Sequence, residues 1–320
     1  MTGAGERARR VADEVLLPDA AAVDRADRVP AAHLAALDGA GLTGLAAAEP
    51  DLATRIDVAA ALAGGCLATA FVWLQHQGAL ANVLRGPAGL RERYAAPLTD
   101  GRLRAAIAIT ALRPPAPLRI LPNGAGWRLT GRAPWVTGWG SAGVVLVAAL
   151  DPDGVVRLVL VDADASASLA AEPLDLVAAR ASRTVTLRFD GLRVAADRLV
   201  ASVPLDEWTA RDAAGLAGNG ALALGVAERA ARLAEDDRLL AEVTLVRTRL
   251  LEADVDALPD ARGACSALAL RAAAVLTVLR GSSSVLAGSD AERLLREAQF
   301  LLVFGSRPAI RDALLPRLAG

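Results

Sequence analysis

The sequence predicts an α+β protein in three parts: a helical N-domain over residues 1–100, a central, mostly antiparallel β-domain over 101–200, and a helical C-domain over 201–320. Three observations predict this. The two flanking segments are rich in Ala, Leu and Arg, and Ala and Leu have the best intrinsic helix propensity. The middle segment changes to the two-residue period of strands and carries strong turn signals. The chain has 320 residues, 54% of them apolar but only 3% aromatic, which is enough for two or three units with cores of small aliphatic side chains.

Taken in order, residues 6–17 form an amphipathic pattern, and 30–40 begin with a proline, which favours a helix start, and stop before Gly41. Residues 57–64 continue into 66–84 with Gly64-Gly65 as a weak break, and 90–96 is a short helix ahead of Pro97. In the middle, 105–110 is a buried apolar run. Residues 127–130 and 135–137 are strands flanking a Gly-Arg-Ala-Pro connection. Strands at 144–149 and 155–161 surround Asp151-Pro152-Asp153-Gly154, a strong hairpin signal. Residues 184–189 alternate as a half-buried strand does, and the prolines at 114–117 mark a loop. Helix returns over 207–233, where Gly215, Gly218, Gly220 and Gly225 imply close approach of another helix or of a ligand. Further helices cover 241–258, ending at Pro259, and 264–279. Ser289-Asp290-Ala291-Glu292 is a capping box that opens a helix running to Phe304 and ending at Gly305.

Composition excludes several functions. All 35 basic residues are Arg, so no lysine can form a Schiff base. A net charge of −1 gives no basic excess for nucleic acid. Two dispersed cysteines, Cys66 and Cys265, read as buried free thiols in a reducing cytoplasm. With two dispersed histidines, His33 and His76, they do not give metal-ligand spacing. His33 reads as exposed on its helix, whereas His76, within Trp-Leu-Gln-His-Gln, reads first as a hydrogen-bonded structural histidine and only second as a titratable candidate for catalysis. No apolar leader precedes the first helix, and the most apolar run, 264–279, is too short to span a bilayer. A soluble, cytoplasmic protein is expected.

The most informative stretch is 126–139, with Trp135-Val136-Thr137 at a strand end. Alone, the triplet also fits an ordinary core strand. In a helix–sheet–helix chain it resembles the flavin-facing motif of the acyl-CoA dehydrogenase family. Leu34-Ala35-Ala36-Leu37 with Ala40-Gly41-Leu42, the run 104–110 ending at Thr110, the run 182–194 and the run 293–297 resemble further stretches of that family. The resemblance implies FAD as cofactor, an acyl thioester as substrate, and a homodimer or homotetramer. It implies that Trp135 covers one face of the isoalloxazine while Thr137 and Thr110 bond its reactive edge, because an indole excludes water and a hydroxyl tunes ring electronics.

Four departures accompany it. The family's catalytic carboxylate aligns with Gly305, and its alternative position on the first long C-domain helix with about Gly215. A glycine cannot act as a base. Asp212, one turn before Gly215, reads first as a solvent-facing helix carboxylate pairing locally beside Arg211 and only second as a candidate for a displaced base. The substrate-holding loop becomes Thr110-Ala111-Leu112-Arg113-Pro114-Pro115, the Arg-x-x-Phe-Gly arm that reaches FAD across a dimer is not recognisable over 235–249, and the Gln-x-x-Gly-Gly loop reads as 278–284 with only small residues retained. Three readings follow: a flavin-dependent oxidoreductase on an acyl thioester, a catalytically degenerate partner subunit of a homologue in a hetero-oligomer, and a flavin monooxygenase needing no α-proton base. Fold alone does not choose among them.

Overall fold

The computed structural model describes residues 3–112, 118–305 and 307–319; the proline cluster at 114–117 lies outside them. Six helices come first: α1 (Gly3–Val11), α2 (Leu17–Asp24), α3 (Ala31–Gly39), α4 (Leu52–Gly65), α5 (Leu67–Leu84) and α6 (Ala88–Thr99). A π-helical turn, Ala12–Leu16, joins α1 to α2, so the first helical stretch is longer than the apolar pattern implied. Asp51 caps α4 by accepting the Thr54 N–H at 2.6 Å, which starts that helix five residues earlier than expected. Pro97 does not end α6 but sits inside it.

Eight strands follow: β1 (Ala105–Ala108), β2 (Arg119–Asn123), β3 (Gly126–Val136), β4 (Val144–Leu150), β5 (Val155–Asp162), β6 (Leu169–Pro173), β7 (Val185–Val194) and β8 (Leu199–Pro204). They form one sheet in the order β6-β7-β3-β2-β4-β5-β8, with β1 alongside β4. Pairing is antiparallel except for β1 with β4 and a single β2–β4 pair. The two short strands expected at 127–130 and 135–137 are one continuous β3, because Gly131 and Pro134 are absorbed by register shifts rather than by a turn. The β4–β5 hairpin turns on buried Asp151, which accepts the N–H groups of Asp153 (2.9 Å) and Val155 (2.8 Å) and the Arg157 guanidinium (2.8 Å). Burial alone would raise its carboxyl pKa, yet those donors hold it below the ordinary range.

The chain ends in α7 (Leu205–Ala214), α8 (Leu216–Leu233), α9 (Asp237–Glu252), α10 (Leu258–Arg280), α11 (Asp290–Val303) and α12 (Pro308–Ala319). The single helix expected over 207–233 is broken at Gly215. Pro259 opens α10 rather than closing its predecessor. The Ser289 cap forms as expected, accepting the Glu292 N–H at 3.2 Å. Helix α10 is by length and composition long and apolar enough to cross a membrane, and half of its apolar window is buried inside the protein.

Helices from both ends of the chain share one core, in which Leu16, Ile56, Leu62 and Phe71 meet Leu222, Leu268 and Leu301. The glycines of α8 have the packing role. A Cβ at Gly225 would stand 2.0 Å from the Ala60 carbonyl oxygen, and one at Gly220 2.9 Å from Leu250. A second core fills one side of the sheet around Ile120, Leu129, Val147 and Phe189. A third seals its other side against α5 and α6 through Leu80, Val83, Leu98, Leu146 and Leu160.

Candidate functional site

At the end of β3 the backbone departs from the regular ladder. Ala133 pairs with Leu187 and Val136 with Val185, so three steps on β3 span two on β7. The extra residue is accommodated at Trp135, whose φ is +62°. This left-handed conformation costs a bulky L-residue about 1–2 kcal/mol. The bulge turns the indole outward, 53% exposed, while Val136 returns to the core. Thr110, half-buried in a 3₁₀ turn after β1, donates its hydroxyl to the Pro134 carbonyl at 2.5 Å. Thr137 lies just inside, 1% exposed, with its hydroxyl 2.9 Å from that of Thr184. The Thr184 hydroxyl is in turn 2.9 Å from Ser182 Oγ. The Gly138 N–H donates to the Ser182 carbonyl at 2.8 Å. Ser182 belongs to a 3₁₀ turn flanked by Ala179 (φ +56°) and Arg183 (φ +46°). Three of the five left-handed non-glycine residues among the described residues therefore gather around Thr137. The sequence marked Trp135, Thr137 and Thr110, and the structure brings them to one strand end. It gave no signal for the Ser182–Thr184 link, since isolated Ser and Thr in a β-rich segment carry none.

His33 differs from expectation, whereas His76 takes the structural, hydrogen-bonded reading and not the catalytic one. His76 is 3% exposed; its Nε2 donates to the Leu98 carbonyl at 3.0 Å and its Nδ1 accepts the Ala105 N–H at 3.1 Å. Burial lowers its pKa to about 4. With both ring nitrogens engaged, the neutral imidazole clips α5 to α6 and β1 and is not free to shuttle protons. His33 is fully buried rather than exposed, with Nδ1 2.8 Å from the Thr69 hydroxyl and Nε2 facing Asp19 at 3.5 Å. Its helix is covered by α5, which helix periodicity alone could not reveal. Burial lowers its pKa against the opposing pull of Asp19.

Asp212 does not pair with Arg211, which bonds Glu207 instead. Its carboxylate accepts Arg307 at 2.6 Å, and the same guanidinium nitrogen donates to the Asp212 carbonyl at 2.8 Å. The ion pair clamps the end of α7 to the start of α12. Gly305, in the α11–α12 turn, has φ +63°, and a Cβ there would lie 2.5 Å from Asn219 Nδ2. Beside it Phe304 packs edge-on against Phe71 at 4.6 Å between centroids and stacks on Phe300 at 5.8 Å. The fully buried Arg262, which the sequence did not single out, donates to the carbonyls of Leu301 (2.7 Å) and Phe304 (2.8 Å). It satisfies the last carbonyls of α11, and burial pulls its pKa to about 10. Helix α11 is tied to the loop after β6 and to the end of α2 by Arg296, which donates to the Val177 carbonyl at 2.7 Å and to Asp24 at 2.6 Å. Arg280, Ser283 and Ser284 of the stretch 278–284 border a cavity of about 260 Å³ that also touches Leu233, Leu276 and Ser289. Among the described residues no cluster of His, Cys, Asp or Glu could hold a metal ion.

The strand end suits a flavin. The exposed indole offers a flat apolar cover for a ring face. The half-buried Thr110 hydroxyl, which already donates to Pro134, keeps acceptor capacity. The Thr137 hydroxyl is covered, so a ring edge reaches it only by replacing that cover.

No family model matches this sequence, and no curated protein matches it. Solved structures do. Butyryl-CoA dehydrogenase from Megasphaera elsdenii superposes with a TM-score of 0.86 at 15% identity, over 99% of this chain and 97% of that one. A probable acyl-CoA dehydrogenase from Mycobacterium abscessus gives 0.82 at 19% identity, over 98% and 97%. A glutaryl-CoA dehydrogenase from Mycobacterium smegmatis, in complex with FADH2, gives 0.78 at 16% identity, over 98% and 94%. The chain has the acyl-CoA dehydrogenase fold over nearly its whole length.

Proposed function

We propose that this protein is a flavin-dependent oxidoreductase acting on an acyl thioester or a related substrate, with FAD as its cofactor. The observation that carries the reading is Trp135, held solvent-exposed by a strained bulge beside Thr110 and Thr137. A tryptophan 53% exposed in a left-handed bulge recovers only part of its burial to offset the strain, so a bound aromatic ring is the natural compensation. In this reading Trp135 covers one ring face and excludes water, while Thr110 and Thr137 bond the ring edge. The flavin supplies two-electron redox chemistry when bound. A cytoplasmic location and a homodimeric or homotetrameric assembly belong to the same proposal; Val278, Leu279, Val285 and Leu286, all exposed near the end of α10, are apolar surface suited to assembly.

The test is the visible absorption spectrum of the purified chain after incubation with FAD and desalting, followed by a panel of acyl thioesters under anaerobic conditions. Retained flavin that bleaches with a thioester supports the reading. Retained flavin that stays oxidised with every thioester removes the dehydrogenase form and leaves the monooxygenase, which then shows oxygen uptake with reduced flavin. His76 is a structural clip, so that alternative finds no histidine there to serve it.

A second reading, a degenerate partner subunit, is favoured by one specific observation. Both positions for a catalytic carboxylate are glycine, and the nearby Asp212 is committed to Arg307. A colourless chain that cannot be loaded with FAD and that co-purifies with a longer homologue would establish it.

A further inference from the structure

We propose that Ser182, Thr184 and Thr137 form a reversible hydroxyl relay that sets whether Thr137 donates or accepts a hydrogen bond at a flavin edge. The proposal rests on the flavin reading above.

Three buried hydroxyls stand in a row, Ser182 Oγ to Thr184 Oγ1 at 2.9 Å and Thr184 Oγ1 to Thr137 Oγ1 at 2.9 Å. Each hydroxyl has one proton to give. The middle one has no partner among the described residues besides these two hydroxyls, so it uses its proton only by donating to one neighbour while accepting from the other. The two ends are therefore coupled. When Ser182 donates to Thr184 and Thr184 to Thr137, the Thr137 proton is left to donate outward. When the row runs the other way, Thr137 spends its proton on Thr184 and presents only lone pairs. The reactive-edge nitrogen of a flavin accepts a hydrogen bond when oxidised and carries an N–H when reduced. Each polarity of the row serves one of those states, and the change between them needs only three hydroxyl rotations.

The backbone keeps the row in place. Ser182 sits in a turn held between two left-handed non-glycine residues, Ala179 and Arg183, Thr184 follows Arg183 directly ahead of β7, and the Gly138 N–H locks that turn to the strand end through the Ser182 carbonyl. Backbone strain of this kind persists where the surroundings over-determine it. Ser182, Thr184 and Thr137 are 0%, 2% and 1% exposed, so water does not compete for the hydroxyls, and the ring edge meets Thr137 by displacing the cover over it.

The consequence has a definite sign. In the oxidised state Thr137 donates to the ring and needs nothing from Thr184. In the reduced state the Thr137 proton must go inward, and without Thr184 it has no acceptor. Thr184→Val, nearly isosteric, therefore penalises the reduced flavin and lowers its midpoint potential. A tenfold change in the two-electron equilibrium constant, about 30 mV, is expected. Ser182→Ala acts in the same direction, because it strands the Thr184 proton. Thr184→Ser restores the wild-type potential.

The experiment is a spectroelectrochemical titration of the FAD-loaded chain, with desalted flavin retention and the thermal midpoint recorded for each variant. The expected result is equal flavin retention, a potential lowered in Thr184→Val and Ser182→Ala, and recovery in Thr184→Ser. Equal retention with an unchanged potential in both variants would overturn the relay while leaving the flavin reading intact. A wild-type chain that retains no flavin fails the flavin reading itself, and the relay with it. If Thr184→Val lowers the thermal midpoint enough to lose flavin, Ser182→Ala decides alone.

Discussion

The end of β3 and the seam between α8 and the α11–α12 turn are built on opposite principles. At the strand end, conformational strain is spent on keeping groups available. Trp135, Ala179 and Arg183 are left-handed without being glycine, and the indole remains in solvent. At the seam, everything is committed to packing. Gly305 takes the positive φ without strain, Phe304 is stacked, Asp212 is paired with Arg307, and Arg262 is spent on capping carbonyls. The difference teaches that strained backbone leaves an indole available at the strand end, while the side chains at the seam are engaged in packing, pairing and capping.

The comparison can be broken or sharpened experimentally. The largest effect belongs to the helix side: Gly225→Ala drives a Cβ to 2.0 Å from the Ala60 carbonyl and should destabilise the protein by about 3 kcal/mol or more, read by urea denaturation. A loss under 1 kcal/mol would mean that α8 and α4 can part easily. Next comes pH. The folded pKa of His76, about 4, lies below its unfolded value of 6.5, so the folded state binds fewer protons between them. Stability is complete above pH 6.5 and falls as pH drops toward 4, by about 3 kcal/mol in all. His33, also lowered, adds in the same direction. Denaturation at pH 7 and pH 4.5 measures this, and His76→Gln should flatten the profile.

Smaller effects separate the two regions more sharply. Gly305→Glu would install a carboxylate at the aligned position against Asn219 and at φ +63°, and should cost about 2 kcal/mol. A tolerated Gly305→Glu that gains thioester-dependent bleaching of the flavin would show that only the base had been lost. Trp135→Gly should change stability least, raising it by up to about 1 kcal/mol as left-handed strain is relieved. The same variant should lose at least tenfold in flavin retention. Lower stability together with normal retention would make Trp135 an ordinary packing residue and remove the distinction between the two regions.

How much of this was legible depends on the kind of signal. Ser289 announced its helix, because a cap is a local hydrogen bond between residues three apart. Asp151-Pro152-Asp153-Gly154 announced its hairpin for the same reason. The functional reading of the Trp-Val-Thr triplet, Gly215 and Gly305 came from resemblance to a family and from no local pattern. Strands β2, β6 and β8 were missed. Each is short and only partly buried, and its pattern makes sense only beside the neighbour that completes it.

The sequence by itself determined the order of helix, sheet and helix, because periodicity, caps and turns act over a few residues. Only the tertiary structure decided what each marked side chain does. His33 is buried by a helix 36 residues away, Asp212 is claimed by an arginine 95 residues on, and Thr137 is wired to a hydroxyl 47 residues on. Burial and ion pairing are set by whichever chain segment arrives next to a residue, and no local pattern records that.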